Sequence, residues 1–188
     1  TTNNPKKQRQ KLTGGITVDN STAENNTTIY AIAESYKNEN EIWVGTDDGN
    51  LQVTENLGED WSNVIENIEG LPENNWVSFI EPSRFEAGSA FVCFDNHRNG
   101  DKNPYVFKTK DLGETWESIT TTDVEGYALS IRQDFINPDV LFLGTEFGLY
   151  ITVDGGENWN RFENNMPKVG VRDMVIQQRE NALVMGTH

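Results

Sequence analysis

Thr54–Trp61 reads TENLGEDW, Thr109–Trp116 reads TKDLGETW and Thr152–Trp159 reads TVDGGENW. The three align without gaps as T-x-[DN]-x-G-x-[TDN]-W. Each follows a short β-type run: GNLQV at 49–53, PYVFK at 104–108 and GLYI at 148–151. Each precedes another: SNVI, ESIT and NRFE. The three Trp residues stand 55 and 43 positions apart. Self-similarity at about 45–50 residues is in the range of propeller blades and longer than most helical solenoid repeats.

The rest of each period repeats more loosely. An aromatic or β-branched run opens it: TIYAIAE at 28–34, WVSFIEP at 76–82, YALSIRQ at 127–133 and VRDMVIQ at 171–177. A second run follows a turn: EIWVGT at 41–46, SAFVCF at 89–94, VLFLGT at 140–145 and ALVMGT at 182–187. With the runs flanking the motif, that makes four short strands per repeat and no helical 3.6 periodicity. The pattern predicts an all-β propeller of four-stranded antiparallel blades. Repeats at about 28–68, 76–120 and 127–163 are complete, and 171–188 holds the first two strands of another. A closed ring takes about four to eight blades, so 14–188 reads as a portion of a longer propeller. Residues 1–13 form a polar segment, and GGITV at 14–18 is a candidate strand of a preceding blade. In 28–34, Ile29, Ala31 and Ala33 alternate with Tyr30 and Ile32, which predicts a strand buried on both faces.

The chain has 188 residues and a formal net charge of −15. That balance argues against a nucleic-acid partner and against docking on an anionic membrane. No apolar run approaches the roughly 20 residues of a membrane helix, so no direct membrane insertion is expected. Residues 1–13 are basic but have no apolar stretch, unlike a signal peptide. One cysteine, Cys93, rules out an internal disulfide framework and reads as a buried small hydrophobe. The 22 Asn and 16 Gly residues suit a chain rich in turns.

The repeated motif has a mechanical reading. Asn56, Asp111 and Asp154 can bond nearby backbone as Asx-turns do, and Gly58, Gly113 and Gly156 suit a positive φ. Trp61, Trp116 and Trp159 are then expected to bury their rings and pin the hairpins. On this reading Trp116→Ala costs about 3–5 kcal/mol. These residues resemble the Asp-box, or bacterial neuraminidase (BNR) repeat, with Thr in place of its leading Ser. The first copy departs furthest, with Asn56 for Asp and Asp60 for Thr. Such boxes occur in sialidases, xyloglucanases, sortilin-type receptors and a photosystem assembly factor. The stretches LTGGITVDNSTAEN, IWVGTDDGNLQVT, FLGTEFGLYITVDGGENW and VMGTH are similar to large bacterial sortilin-like proteins, often called glycosyl hydrolases. The resemblance implies a secreted, periplasmic or envelope-associated bacterial protein.

Sites are expected on the loops after each second strand, where Asp47, Asp95 and Glu146 stand at equivalent positions, followed by His188 in the last repeat. Two readings are open. They are carboxylates for glycoside hydrolysis, which needs an acid and a base or nucleophile about 5–9.5 Å apart. Or they are turn residues of an acidic surface. A sialidase needs an arginine cluster, for which Arg84, Arg132 and Arg172 are the candidates, with pairing to acids as their alternative role. The loop DNHRNGDKNP at 95–104 offers Asp95 and Asp101 as oxygen ligands for calcium, without EF-hand spacing. His97 alone is no zinc set. Trp43, Trp76 and Tyr127 are either sugar-stacking rings or core. No other cofactor is expected. The function that follows is a noncatalytic binding or scaffold segment, partnered by further blades, a protein or a carbohydrate. A glycoside hydrolase of sialidase or xyloglucanase type is the rival.

Overall fold

Short β-branched and aromatic runs between Gly-, Asn- and Asp-rich turns leave room for strands and little else. The computed structural model describes residues 5–7, 12 and 26–188. GGITV at 14–18 lies outside them. The first sheet holds β1 Ile29–Glu34, β2 Ile42–Thr46, β3 Leu51–Thr54 and β4 Ser62–Asn63. The second holds β5 Trp76–Pro82, β6 Ala90–Asp95, β7 Tyr105–Thr109 and β8 Glu117–Ser118. The third holds β9 Ala128–Gln133, β10 Leu141–Thr145, β11 Gly148–Thr152 and β12 Asn160–Arg161. β13 Val171–Gln177 and β14 Ala182–Thr187 pair alone. Strand order in each sheet follows the chain, and all pairings are antiparallel. These are β-propeller blades, whose inner strands β1, β5, β9 and β13 pack one after the next.

Blades pack face to face, and the period-two alternation of strands decides which side chain serves which interface. In β6, Ala90, Val92 and Phe94 join Trp43, Leu51 and Val53 of blade one. Phe91 and Cys93 point the other way, to Leu141, Leu143 and Tyr150 of blade three. Cys93 is fully buried, and burial pushes its thiol well above the ordinary range. Trp43 is core: its Nε1 donates to Glu41 Oε1 at 2.8 Å. Glu41 Oε2 accepts the Gly88 N–H at 2.8 Å, so one buried carboxylate stitches blade one to blade two.

The T-x-[DN]-x-G-x-x-W turns share one hydrogen-bond scheme. The Thr hydroxyl donates to the third residue's side-chain oxygen, at 2.8, 2.8 and 2.6 Å for Asn56, Asp111 and Asp154. It accepts the N–H of the Gly at 3.0, 3.0 and 3.1 Å. The third residue also takes the N–H of position seven and bonds its side chain. Thr115 and Asn158 donate to Asp111 and Asp154, whereas Asn56 donates to Asp60. The first copy is therefore the same pair with donor and acceptor exchanged. The hydrogen bonds from Thr115 hold Asp111 below the usual carboxylate range, and those from Thr152 and Asn158 hold Asp154 at about 2.

The glycine at position five does more than adopt φ values of 90°, 83° and 104°. A Cβ on Gly113 would fall 2.8 Å from Val64 of blade one, and one on Gly156 2.8 Å from Ile119 of blade two. The second and third turns are thus plugs in the preceding blade. The same direction holds for the indoles. Trp159 is 4% exposed and donates to Ile119 O at 2.6 Å. Trp116 is half-buried, edge-on to Trp43 at 6.2 Å. Trp61 is 40% exposed, with its Nε1 bonded only to its own turn at Gly58 O. The expectation that all three rings are buried is corrected: the ring needs a preceding blade to enter.

The same cause corrects the expectation for β1. Ile80 and Ile131 face the blade before their own, and Ile32 holds the equivalent register position. With no blade there among the described residues, Ile32 is 69% exposed and Tyr30 52%. Val175 and Val184 are exposed on the last sheet. Two open apolar faces on a chain of charge −15 predict association that salt strengthens, because screening shortens repulsion to about 10 Å at 0.1 M. Sedimentation of the isolated chain at low and moderate salt checks it; a monodisperse monomer under both conditions would refute it.

Candidate functional site

The β2–β3, β6–β7 and β10–β11 hairpins and the links between blades share one end of the sheets, beside the starts of the inner strands. Asp47, Asp95 and Glu146 all lie there, each beside the start of an inner strand. Each is engaged by the chain itself. Asp47 Oδ1 accepts the N–H groups of Thr27 and Thr28, both at 2.8 Å. Burial raises its pKa above the ordinary value against those two bonds. Asp95 accepts the His97 N–H at 2.9 Å, and its oxygens lie 2.6 and 2.7 Å from His97 Nδ1. Glu146 Oε1 accepts from Lys102 Nζ at 2.8 Å. His188 bonds by its backbone N–H to Gly170 O.

The 95–104 loop is built around Asp101. That carboxylate accepts from Asn96, Tyr105 and both the backbone and side chain of Asn103. Burial pushes its pKa up, but these bonds outweigh it and the net shift is down. Asp95 and Asp101 thus each have protein donors, and no group of three or more His, Cys, Asp or Glu that could hold a metal occurs among the described residues.

The loop does assemble a cavity. His97 stacks on Tyr127 at 4.5 Å, and Arg98 lies over the Trp76 ring at 3.8 Å. Tyr30 also meets Trp76, tilted, with ring centroids 4.6 Å apart. His97, Arg98, Trp76 and Tyr30, with Asp95, Leu129 and Arg172, line a cavity of about 270 Å³. Trp76 Nε1 is buried without a hydrogen-bond partner. Ser78 lines the cavity too, but its hydroxyl donates to Ala128 O at 3.0 Å, so no nucleophile is bonded to His97. Tyr127, only 8% exposed, serves as a platform under His97 and not as an open stacking face.

The three arginines do not form one cluster. Arg172, exposed at the start of β13, borders this cavity and also lines, with Arg132 and Glu81 but not Arg84, another of about 660 Å³. Arg84, just past the end of β5, and Arg132, late in β9, meet at Glu81, a residue that sequence reasoning missed. Glu81 is 1% exposed. Its Oε2 accepts from Arg132 Nη1 at 2.6 Å, and its Oε1 is 3.5 Å from Arg84 Nε. Arg132 also donates to Met174 O at 2.5 Å and covers Phe79 at 4.4 Å, joining β5, β9 and β13. Burial raises the Glu81 pKa, and the two guanidiniums offset only part of it. Its only sequence signal was a charged residue inside an apolar inner strand.

No protein-family model matches the chain. Among curated proteins, the vacuolar protein sorting/targeting protein 10 of Pyrenophora tritici-repentis is 38% identical over 65 residues, 35% of this chain and 4% of that protein. An ancestral GH74 enzyme has 23% identity and a TM-score of 0.59, over 77% of this chain and 20% of its own. YCF48 bound to D1 peptide has 17% identity and a TM-score of 0.57, over 78% and 44%. The extracellular domain of a one component system from B. thetaiotaomicron has 14% identity and a TM-score of 0.63, over 87% and 20%. The chain resembles a sortilin-type protein over one stretch, shares the propeller-type fold of the solved structures, and spans less than half the length of any of these four proteins.

Proposed function

We propose that the chain is a noncatalytic binding segment of a larger exported, sortilin-like protein, and that it holds a partner at the cavity of Trp76, Arg98 and Arg172. The observation that carries this is a division of labour. Asp47 and Asp95 are held by the chain's own donors and Glu146 pairs through Oε1 with Lys102, its buried Oε2 alone lacking a partner, while the cavity is lined by two guanidinium groups and by Trp76, whose buried indole N–H has no partner. Unpaired donors suit acceptor oxygens, such as those of an acidic peptide, and do not supply an acid–base pair. Capture of a peptide by the similarly folded YCF48 supports a protein partner, and the extracellular neighbour supports export.

Two assays test it. A tetraglutamate peptide should quench or shift Trp76 fluorescence, and Arg98→Ala should abolish the effect. Sialoside and β-glucan substrates should not turn over. Turnover lost on Asp95→Asn would instead establish the hydrolase reading.

A further inference from the structure

The β2–β3 hairpin and the link from β4 to β5 enclose another cavity, of about 540 Å³, beside blade one. Its wall holds two buried acceptors. The Asp48 side chain is fully buried; its Oδ1 accepts from Thr46 Oγ1 at 2.6 Å and Asn50 Nδ2 at 3.0 Å. Its Oδ2 receives no hydrogen bond. Asn75 is 1% exposed and donates its Nδ2 to Pro72 O, yet its Oδ1 receives none. Glu66 and Glu73 add negative charge at the rim. Buried oxygens with vacant lone pairs are costly until a donor reaches them.

A donor is at hand in Lys7. Its Nζ donates to the Asp48 carbonyl at 2.7 Å and lies 3.3 Å from Asp48 Oδ2 as an ion pair. The Lys7 carbonyl accepts from Asn26 Nδ2 at 3.3 Å. An ammonium brings three donors, and a compact point charge fits between a carbonyl and a carboxylate where a planar guanidinium would not. Lys7 stands in PKKQRQK, a segment with four cations in a chain of net charge −15. The cavity exceeds what one lysine stem fills, which leaves space for its neighbours in a peptide.

We propose that this cavity is a receptor for a lysine side chain on a basic peptide segment, filled in cis by Lys7 and open to a lysine-bearing segment in trans when Lys7 leaves. It is separate from the cavity of Trp76, Arg98 and Arg172 and stands whether or not that site binds an acidic partner. The probe is the tagged hexapeptide NPKKQR, residues 4–9, titrated against the full chain. It should bind the Lys7→Ala chain about tenfold more tightly than the unsubstituted chain, if Lys7 holds the cavity nine-tenths of the time. Asp48→Asn in the Lys7→Ala background should remove binding, and so should replacing both peptide lysines by Gln. Glu73→Gln, which removes a charge from the exposed part of the cavity lining and leaves Asp48 and its partners untouched, should weaken binding up to about fivefold at low salt. Equal affinity for the Lys7→Ala and unsubstituted chains, no binding to the former, or indifference to both Asp48→Asn and Glu73→Gln would overturn the proposal.

Discussion

Trp159→Ala should destabilise the chain by about 3–5 kcal/mol, the usual range for deleting a buried large aromatic. The indole is 4% exposed, lies in the interface of blades two and three, and donates to Ile119 O at 2.6 Å. Its removal opens a cavity and strands a carbonyl. The loss should be graded along the chain. Trp116→Ala, half-buried against Trp43, should cost about 1–3 kcal/mol, and Trp61→Ala, 40% exposed, under about 1 kcal/mol. Chemical denaturation with a constant slope measures all three. Equal losses would mean that the rings act within their own turns and not between blades. Trp159→Phe, which keeps most of the packing, should lose mainly the hydrogen bond, about 1 kcal/mol.

Arg132→Met is the second large effect, at about 3–5 kcal/mol, because it leaves Glu81 buried with most of its compensation gone. Adding Glu81→Gln to that variant should restore much of the loss, and the double-mutant cycle gives the coupling. The pH dependence has a definite sign. The folded pKa of Glu81 lies above the ordinary 4.5, so its stabilising contribution is complete below that value and is lost as pH rises through the folded pKa. Removing Arg132 raises the folded pKa further, so the variant should regain stability as pH falls from 7 toward 5. Asp111 and Asp154, with depressed values, act oppositely: their contribution is present above the ordinary carboxylate pKa and disappears only in strong acid. A variant equally unstable at both pH values would exclude Glu81 as the cause.

The blades were legible because three turns repeat eight-residue patterns at blade spacing, and strand order then follows from short links. What the sequence hid was direction. TIYAIAE looks like WVSFIEP or YALSIRQ, yet Ile32 is exposed and Ile80 and Ile131 are buried, because burial depends on a neighbour and not on the strand. The degenerate look of the first turn was also deceptive. Asn56 and Asp60 carry the donor and acceptor of Asp111 and Thr115 in reverse, and a position-by-position pattern cannot register an exchange between two positions. The loop positions of Asp47, Asp95 and Glu146 followed from the alignment of repeats. Their partners did not, since Thr27, His97 and Lys102 have no common spacing from them. Glu81 and Asp48 were illegible for the same reason: their partners, Arg132 and Lys7, are 51 and 41 positions away.

The plug-and-socket order of the turns bears on synthesis. Ile119, the socket for blade three, is polymerised before Gly156 and Trp159, the plug, and 40 positions separate socket and ring. At about 5–20 residues per second the ribosome needs about 2–8 s to span that gap. Val64 precedes Gly113 and Trp116 in the same way. Each nascent blade therefore emerges with its docking surface already made upstream, and it waits for nothing downstream to seat its own turn. Growth by addition onto a finished template lets a repeat chain fold in the order in which it is translated, and it keeps each incoming blade from pairing with one not yet made.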